Sequence, residues 1–132
     1  MDLQSTNSVD QAIHNTVSDY FGGWYEANVE RISRSLHEGL AKRAIKRDEK
    51  GKAYLHKLTK EQMVEKTREG GGSDSLPDKR HWTITILDRY EEIATVKVSS
   101  PEYVEYVHVA MQGGQWLIIN TLYANMREEA QE

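Results

Sequence analysis

Glu105 is the residue whose setting most invites chemistry. It lies in a long stretch, Tyr103 to Tyr123, that reads as two β-strands joined at Gly113-Gly114. Both central residues of a type I′ turn need positive φ, which glycine takes without a Cβ clash. Counting outward from that turn pairs Met111 with Trp116, Val109 with Ile118, Val107 with Asn120 and Glu105 with Leu122. All eight share one face, because successive side chains alternate. Glu105 is then the acid on an otherwise apolar surface, and Asn120 is its amide. A buried carboxyl is held above its ordinary pKa, because burial disfavours the charged form, and so can exchange protons near neutrality. The competing reading leaves Glu105 near a strand end, ionised and solvated. Asn120 reads equally as a ligand-orienting amide or as a satisfied buried one.

His37 follows a short helical pattern. Histidine titrates near neutrality and is the commonest general base, but at that place it can also order the helix-to-strand turn through a backbone hydrogen bond. Tyr20 and Trp24 are four residues apart, so they meet on one helical face. They can stack on a flat ligand while the phenol or indole N–H donates to it, or they can form an aromatic core stripe. His14, His56, His81 and His108 are dispersed and none makes a His-x-x-x-His pair, so no metal site is expected. The sequence carries no phosphate loop, nucleophile elbow or dinucleotide fingerprint: Gly70-Gly71-Gly72 follows a helix and precedes no second one. No cofactor is expected.

These residues need elements to hold them. Ser8 with Gln11 is a capping-box pattern, after which Val9, Ile13, Val17, Tyr20, Phe21 and Trp24 form one helical stripe. Gly22-Gly23 inside it signals close packing or a break. Asn28 can cap a short helix carrying Val29, Ile32 and Leu36. Leu40 to Arg47 and Lys52 to Leu58 are strand candidates around Asp48-Glu49-Lys50-Gly51, and their lysines and arginines suit exposed edge strands. Thr59 with Gln62 opens a third helix with Met63 and Val64 inward. Residues Glu69 to Asp78 read as a flexible loop. Then Trp82, Ile84 and Ile86, and later Ala94, Val96 and Val98, alternate at period two. Helices ahead of a strand meander give an α+β domain with its helices on one sheet face.

At 132 residues the chain is expected to be one domain, 1–132, with loose termini at 1–7 and 126–132. A chain of this length buries about two-thirds of its unfolded surface. Without cysteine it can have no disulfide and no thiolate metal site, which suits a cytoplasmic location. A net charge of −4 with interleaved signs offers no nucleic-acid footprint. No apolar run spans a membrane, and no signal-peptide core is evident.

Three segments carry a family resemblance: Tyr20-Phe21-Gly22-Gly23-Trp24, then Leu36-His37, then Val104-Glu105-Tyr106 leading to Gly113-Gly114-Gln115-Trp116-Leu117-Ile118. With the order of elements, they resemble the nuclear-transport-factor-2-like superfamily, which includes ketosteroid isomerases and polyketide cyclases. Within it the chain is most similar to the group named for lumazine binding. It departs at Glu38, where proline is usual, and at Glu105, where aspartate is usual. The resemblance implies a cone-shaped, curved antiparallel sheet wrapped on three N-terminal helices, cystatin-like in outline, enclosing a pocket. It also implies that Glu105 points inward, as the enolate-stabilising acid of the isomerases does. Tyr20, Trp24, Trp116, Asn120 and Met63 are the expected ligand contacts; Glu105 and His37 are the catalytic candidates.

Two function classes follow. One is a binding module for a small apolar or aromatic ligand. The other is a cofactor-free isomerase, dehydratase or cyclase using Glu105 or His37 for proton transfer; the lack of a second evident inward acid favours the first. The opposite face, with Val104, Tyr106, His108, Ala110, Leu117, Ile119, Thr121 and Tyr123, is also apolar. An antiparallel sheet usually turns a polar face to water, so a homodimer is expected to cover it; the competing account puts this face inside the cone, with Tyr106, His108 and Tyr123 lining the pocket and Glu105 outside it.

Overall fold

The computed structural model describes residues 3–126, with side chains from residue 8 onward. The expected loose tails beyond those limits lie outside the described residues. Helix α1 (Leu3–Glu26) leads into α2 (Val29–Ser35), β1 (Leu36–Arg47), β2 (Ala53–Leu58) and α3 (Lys60–Arg68). Strands β3 (Thr83–Tyr90), β4 (Ile93–Ser99), β5 (Tyr103–Gln112) and β6 (Gln115–Asn125) follow. One six-stranded open sheet results, in the order β2-β1-β6-β5-β4-β3. The three helices pack on one of its faces, which is the α+β architecture the sequence implied.

Helix α1 begins before the Ser8 capping box, so Ser8 is an interior residue. A cap contributes only about 1 kcal/mol and does not stop a helix whose upstream residues can continue it. Ala27, at φ 53°, ends α1. Asn28 then caps α2 as expected, its Oδ1 accepting from the Arg31 N–H at 3.0 Å. Gly22-Gly23 marks close packing and no break. A Cβ on Gly23 would lie 2.7 Å from the Ile32 nitrogen, so α2 crosses α1 where α1 has no side chains. Asp19 ties the same junction, accepting from Arg31 at 2.9 Å and Arg34 at 3.0 Å. Thr59 and Gln62 form the capping box of α3.

The 69–82 segment is tied to α1 instead of standing off as a flexible loop. The Gly72 N–H donates to the Trp24 carbonyl at 2.8 Å. A Cβ on Gly71 would meet that oxygen at 2.5 Å, so only glycine permits the approach. Farther on, Ser75 Oγ donates to Glu102 at 2.9 Å, and Tyr25 OH donates to the same carboxylate at 3.0 Å.

The sheet departs from the expected antiparallel one at a single junction. β1 runs parallel to β6, which makes it an interior strand; β2 alone forms that edge. The Gly113-Gly114 turn has φ +63° and +78°, as the hairpin required. The pairs Met111–Trp116 and Val109–Ile118 form as counted, but Ile119 is then bulged out and His108 pairs with Asn120. Beyond this bulge every residue of β6 faces opposite to the simple count. Thr121 and Tyr123 join Val107 and Glu105 on the inner face; Asn120 and Leu122 move outside.

The core is the one α1 and α2 bring to the inner face. Ile13, Val17, Tyr20, Phe21, Ile32 and Leu36 are buried against Val96, Val98, Val107, Val109, Trp116 and Ile118. Trp24, Trp82 and Ile84 pack at its margin, half-buried.

Candidate functional site

Away from the turn end of the hairpin the inner face opens into a cavity of about 210 Å³. Its walls are aromatic and apolar: Phe21 and Trp24 from α1, Tyr103 and Tyr123 from the hairpin, Leu58 and Met63 from the opposite side. Strand alternation explains the polar lining from β1. Leu40, Lys42 and Ala44 face inward and are buried, while Arg43 and Ile45 face out. Lys46 continues the inward row, and His56 comes from β2 and Lys66 from α3.

Three of these side chains interlock. Tyr20 OH donates to Glu105 Oε2 at 2.6 Å. The Lys42 ammonium donates to the same Tyr20 oxygen and stands 3.4 Å from Glu105 Oε2. The phenol therefore bridges cation and anion, accepting from one and donating to the other. Their side chains are almost withdrawn from solvent, 11% exposed for Lys42 and 3% for Glu105. Burial holds the Lys42 pKa below the ordinary lysine value, although the Glu105 charge opposes the shift. Burial, then the neighbouring Glu105 charge, pushes the Tyr20 phenol well above its usual range. Lys42 Nζ also lies over the rings of Tyr123 and Tyr20, 4.5 and 4.9 Å from their centres, where the ring quadrupole attracts a cation. The Thr121 hydroxyl, buried on the same face, has no hydrogen-bond partner among the described residues.

Such a group can do two things. It presents a fixed set of donors and acceptors to a ligand resting on aromatic walls. It also links an amine, a phenol and a carboxylate into a path along which a proton can move.

Of the residues singled out from sequence, Tyr20, Trp24, Met63 and Glu105 line the cavity. His37, Asn120 and Trp116 do not. His37 orders the α2–β1 corner: its Nδ1 accepts from the Gly39 N–H at 2.8 Å and its Nε2 donates to Gln112 Oε1 at 2.6 Å. Asn120, turned outward by the bulge, accepts from His108 Nδ1 at 2.9 Å. Trp116 is core, under α1, where its carbonyl accepts from Thr16 Oγ1 at 2.9 Å. Sequence reasoning missed Lys42, and brought Tyr123 inward only in the account that turned Glu105 out, whereas Tyr123 and Glu105 both line the cavity. The Leu40-Ala41-Lys42-Arg43-Ala44 alternation was the available signal for Lys42; nothing in the sequence marks the bulge that turns Tyr123 inward.

Among the described residues no group of three or more histidines and carboxylates is placed to hold a metal ion. None of the described helices is long and apolar enough to cross a membrane.

The fold is that of the nuclear-transport-factor-2-like class. An NTF2-like protein from Silicibacter pomeroyi superimposes with a TM-score of 0.74 at 14% identity, over 92% of this chain and 98% of that one. One from Methylobacillus flagellatus gives 0.71 at 14% identity, over 96% of both chains. A ketosteroid isomerase-like protein from Erwinia carotovora atroseptica gives 0.60 at 11% identity, over 89% of this chain and 95% of that one. Within that class the chain belongs to the family described as "Putative lumazine-binding", whose model matches residues 8–124. No curated protein matches it.

Proposed function

We propose that the protein binds a small, flat organic molecule in the cavity between α1, α3 and strands β2, β1, β6 and β5 of the sheet. The observation that carries this reading is the interlocked Lys42–Tyr20–Glu105 group at a cavity walled by Phe21, Trp24, Tyr103 and Tyr123. Apolar walls with a few convergent polar groups are the usual form of a ligand site. Size limits the occupant. A cavity of about 150 Å³ holds benzene, and drug-sized ligands use roughly 300 Å³ or more. A volume of about 210 Å³ suits a substituted single ring or a compact fused bicycle. Titration of planar heteroaromatic compounds, followed by Trp24 fluorescence with Trp24→Phe as control, tests the reading. Met63→Trp, which fills the cavity, should abolish binding without unfolding the chain. No binding by any ring compound at millimolar concentration refutes it.

A second reading, proton-transfer catalysis, is favoured by the coupling of Glu105 to Tyr20 and Lys42, and by fold similarity to a ketosteroid isomerase-like protein. It assigns the acid–base work to Glu105. His37, occupied at the α2–β1 corner, has no support as its partner. Glu105→Gln keeps the shape and removes the charge. An enzyme should lose about 10²–10⁴-fold in turnover and still bind; a binding protein should change in affinity alone.

We also propose a homodimer through the outer sheet face. Exposed there are Ile93, Tyr106 and Leu122, 56%, 45% and 54% exposed, with Ala110, Leu117 and Ile119 half-buried beside them. The bulge removes Thr121 and Tyr123 from this face and adds Asn120 and Leu122. Sedimentation of wild type beside Leu122→Asp tests it: a monomeric wild type ends the proposal, and a folded monomeric variant of a dimeric wild type supports it. The lack of cysteine supports a reducing, cytoplasmic location.

A further inference from the structure

We infer that the molecule this cavity takes is an anion: a planar ring bearing an oxyanion, with the charged group at the mouth and the ring inside. The inference rests on the binding reading above and concerns the charge of the ligand. Three ammonium groups and an imidazole line the cavity, from Lys42, Lys46, Lys66 and His56, against the single carboxylate of Glu105. Glu105 lies within ion-pair distance of Lys42. Among the described residues no carboxylate pairs with Lys46 or Lys66. This local excess is opposite in sign to the chain's net charge of −4, so it is not a sample of a generally basic surface.

Position supports the same conclusion. Lys46, His56 and Lys66, from β1, β2 and α3, are more exposed than the buried Lys42 and line the same cavity. Lys46 is not a free surface lysine: its ammonium donates to Asn125 Oδ1 at 3.3 Å and lies 5.2 Å from the centre of the Tyr123 ring. That holds one cation over the Tyr123 ring at the cavity wall, on the side from which it can meet a charge carried by a ring inside. The His56 imidazole reports the same field: burial, then the charges of Lys46, Lys66 and Lys42, hold its pKa below the ordinary histidine value. Cations focused by low-dielectric walls raise the local concentration of an anion and orient it on entry. Lys66 is exposed, so its share is screened by salt and modest.

The test uses two pairs of isosteric probes, benzoate with benzamide and 2-naphthoate with 2-naphthamide. Each is titrated calorimetrically into the wild-type protein and the Lys46→Gln/Lys66→Gln double variant. The variant's melting curve is checked first, and Lys46→Arg/Lys66→Arg serves as the charge-keeping control. The inference expects the acid to bind about tenfold tighter than its amide at low salt, the size of a few partly screened charge contacts. That preference should fall to about twofold or less in the glutamine variant and persist in the arginine one. Acid and amide binding equally well would overturn the anion inference and leave the ring-binding reading standing. A preference that survives the glutamine variant would overturn the role of Lys46 and Lys66. Failure of all four probes to bind would overturn the anion inference; the ring-binding reading falls with it only if the heteroaromatic compounds of its own test also fail.

Discussion

Replacing Glu105 by leucine should leave Lys42 as a buried cation without its counter-charge, and the size of the loss can be bounded. The variant leaves the Lys42 ammonium with the Tyr20 hydroxyl and two aromatic faces. It either stays charged in a site that already disfavours charge or gives up its proton. The second route sets a ceiling. Neutralising a lysine of ordinary pKa 10.5 at pH 7 costs about 5 kcal/mol, at 1.36 kcal/mol per pH unit. Nζ keeps the Tyr20 hydroxyl and the two ring faces as partners, so we expect a loss of about 3 kcal/mol, at the low end for breaking a buried pair. The double variant Lys42→Met/Glu105→Leu removes both charges and should lose about 1 kcal/mol or less. Urea unfolding followed by circular dichroism, at fixed protein concentration because self-association raises apparent stability, measures all three. A lysine whose folded pKa is depressed destabilises fully below that pKa, and the penalty disappears as pH rises toward the unfolded value. At pH 10 the ceiling is about 1 kcal/mol, so the gap between single and double variants should nearly close. A Glu105→Leu loss under about 1 kcal/mol at pH 7, or a gap unchanged at pH 10, would refute the coupling.

Two further expectations follow from the same structure. Gly23→Ala should destabilise by about 2 kcal/mol or more despite alanine's helix preference of about 1 kcal/mol, because its Cβ meets the Ile32 backbone. Gly22→Ala, which meets only the Arg31 guanidinium end, should lie within about 1 kcal/mol of wild type; equal losses in the two melting curves would contradict the α1–α2 crossing. Tyr20 has a folded pKa raised above its unfolded value. Its contribution is therefore complete below about pH 10 and is lost as pH rises beyond it. Tyr20→Phe should cost about 1–2 kcal/mol at pH 7 and decline less steeply above pH 10 in urea titrations. The raised phenols of Tyr25, Tyr103 and Tyr123 should keep some decline in the variant, so an alkaline limb identical to wild type would exclude Tyr20 as its source.

The elements were legible because each had a local cause. Two helix caps, at Asn28 and Thr59, form as their side chains dictate. The Gly113-Gly114 turn sets the first pairs of the hairpin. The cavity was half legible. Tyr20 and Trp24 follow from helical spacing, and Glu105 from its distance to the turn. Lys42 was hidden by its composition: a basic strand reads as an exposed edge, and only the parallel pairing of β1 with β6 makes it interior. That pairing joins residues some eighty positions apart and has no local signature. The same holds for the bulge at Ile119. Both faces of β6 are apolar enough that either register satisfies the hydrophobic pattern, so alternation alone cannot choose between Asn120 and Thr121.

The bulge also decides where β6 can change length. Its turn-side half, with Trp116 and Ile118 inward, belongs to the core under α1; its far half, with Thr121 and Tyr123 inward, belongs to the cavity and the Glu105 cluster. Ile119 is the extra residue between them. A deletion at Ile119 would give regular pairing and leave both halves facing as they do now. A deletion two or three residues later would reverse the facing of the residues beyond it and turn Tyr123 out of the cavity. Ile119 is therefore the place where this strand can lose a residue without exchanging the inside of the cavity for the outside of the sheet.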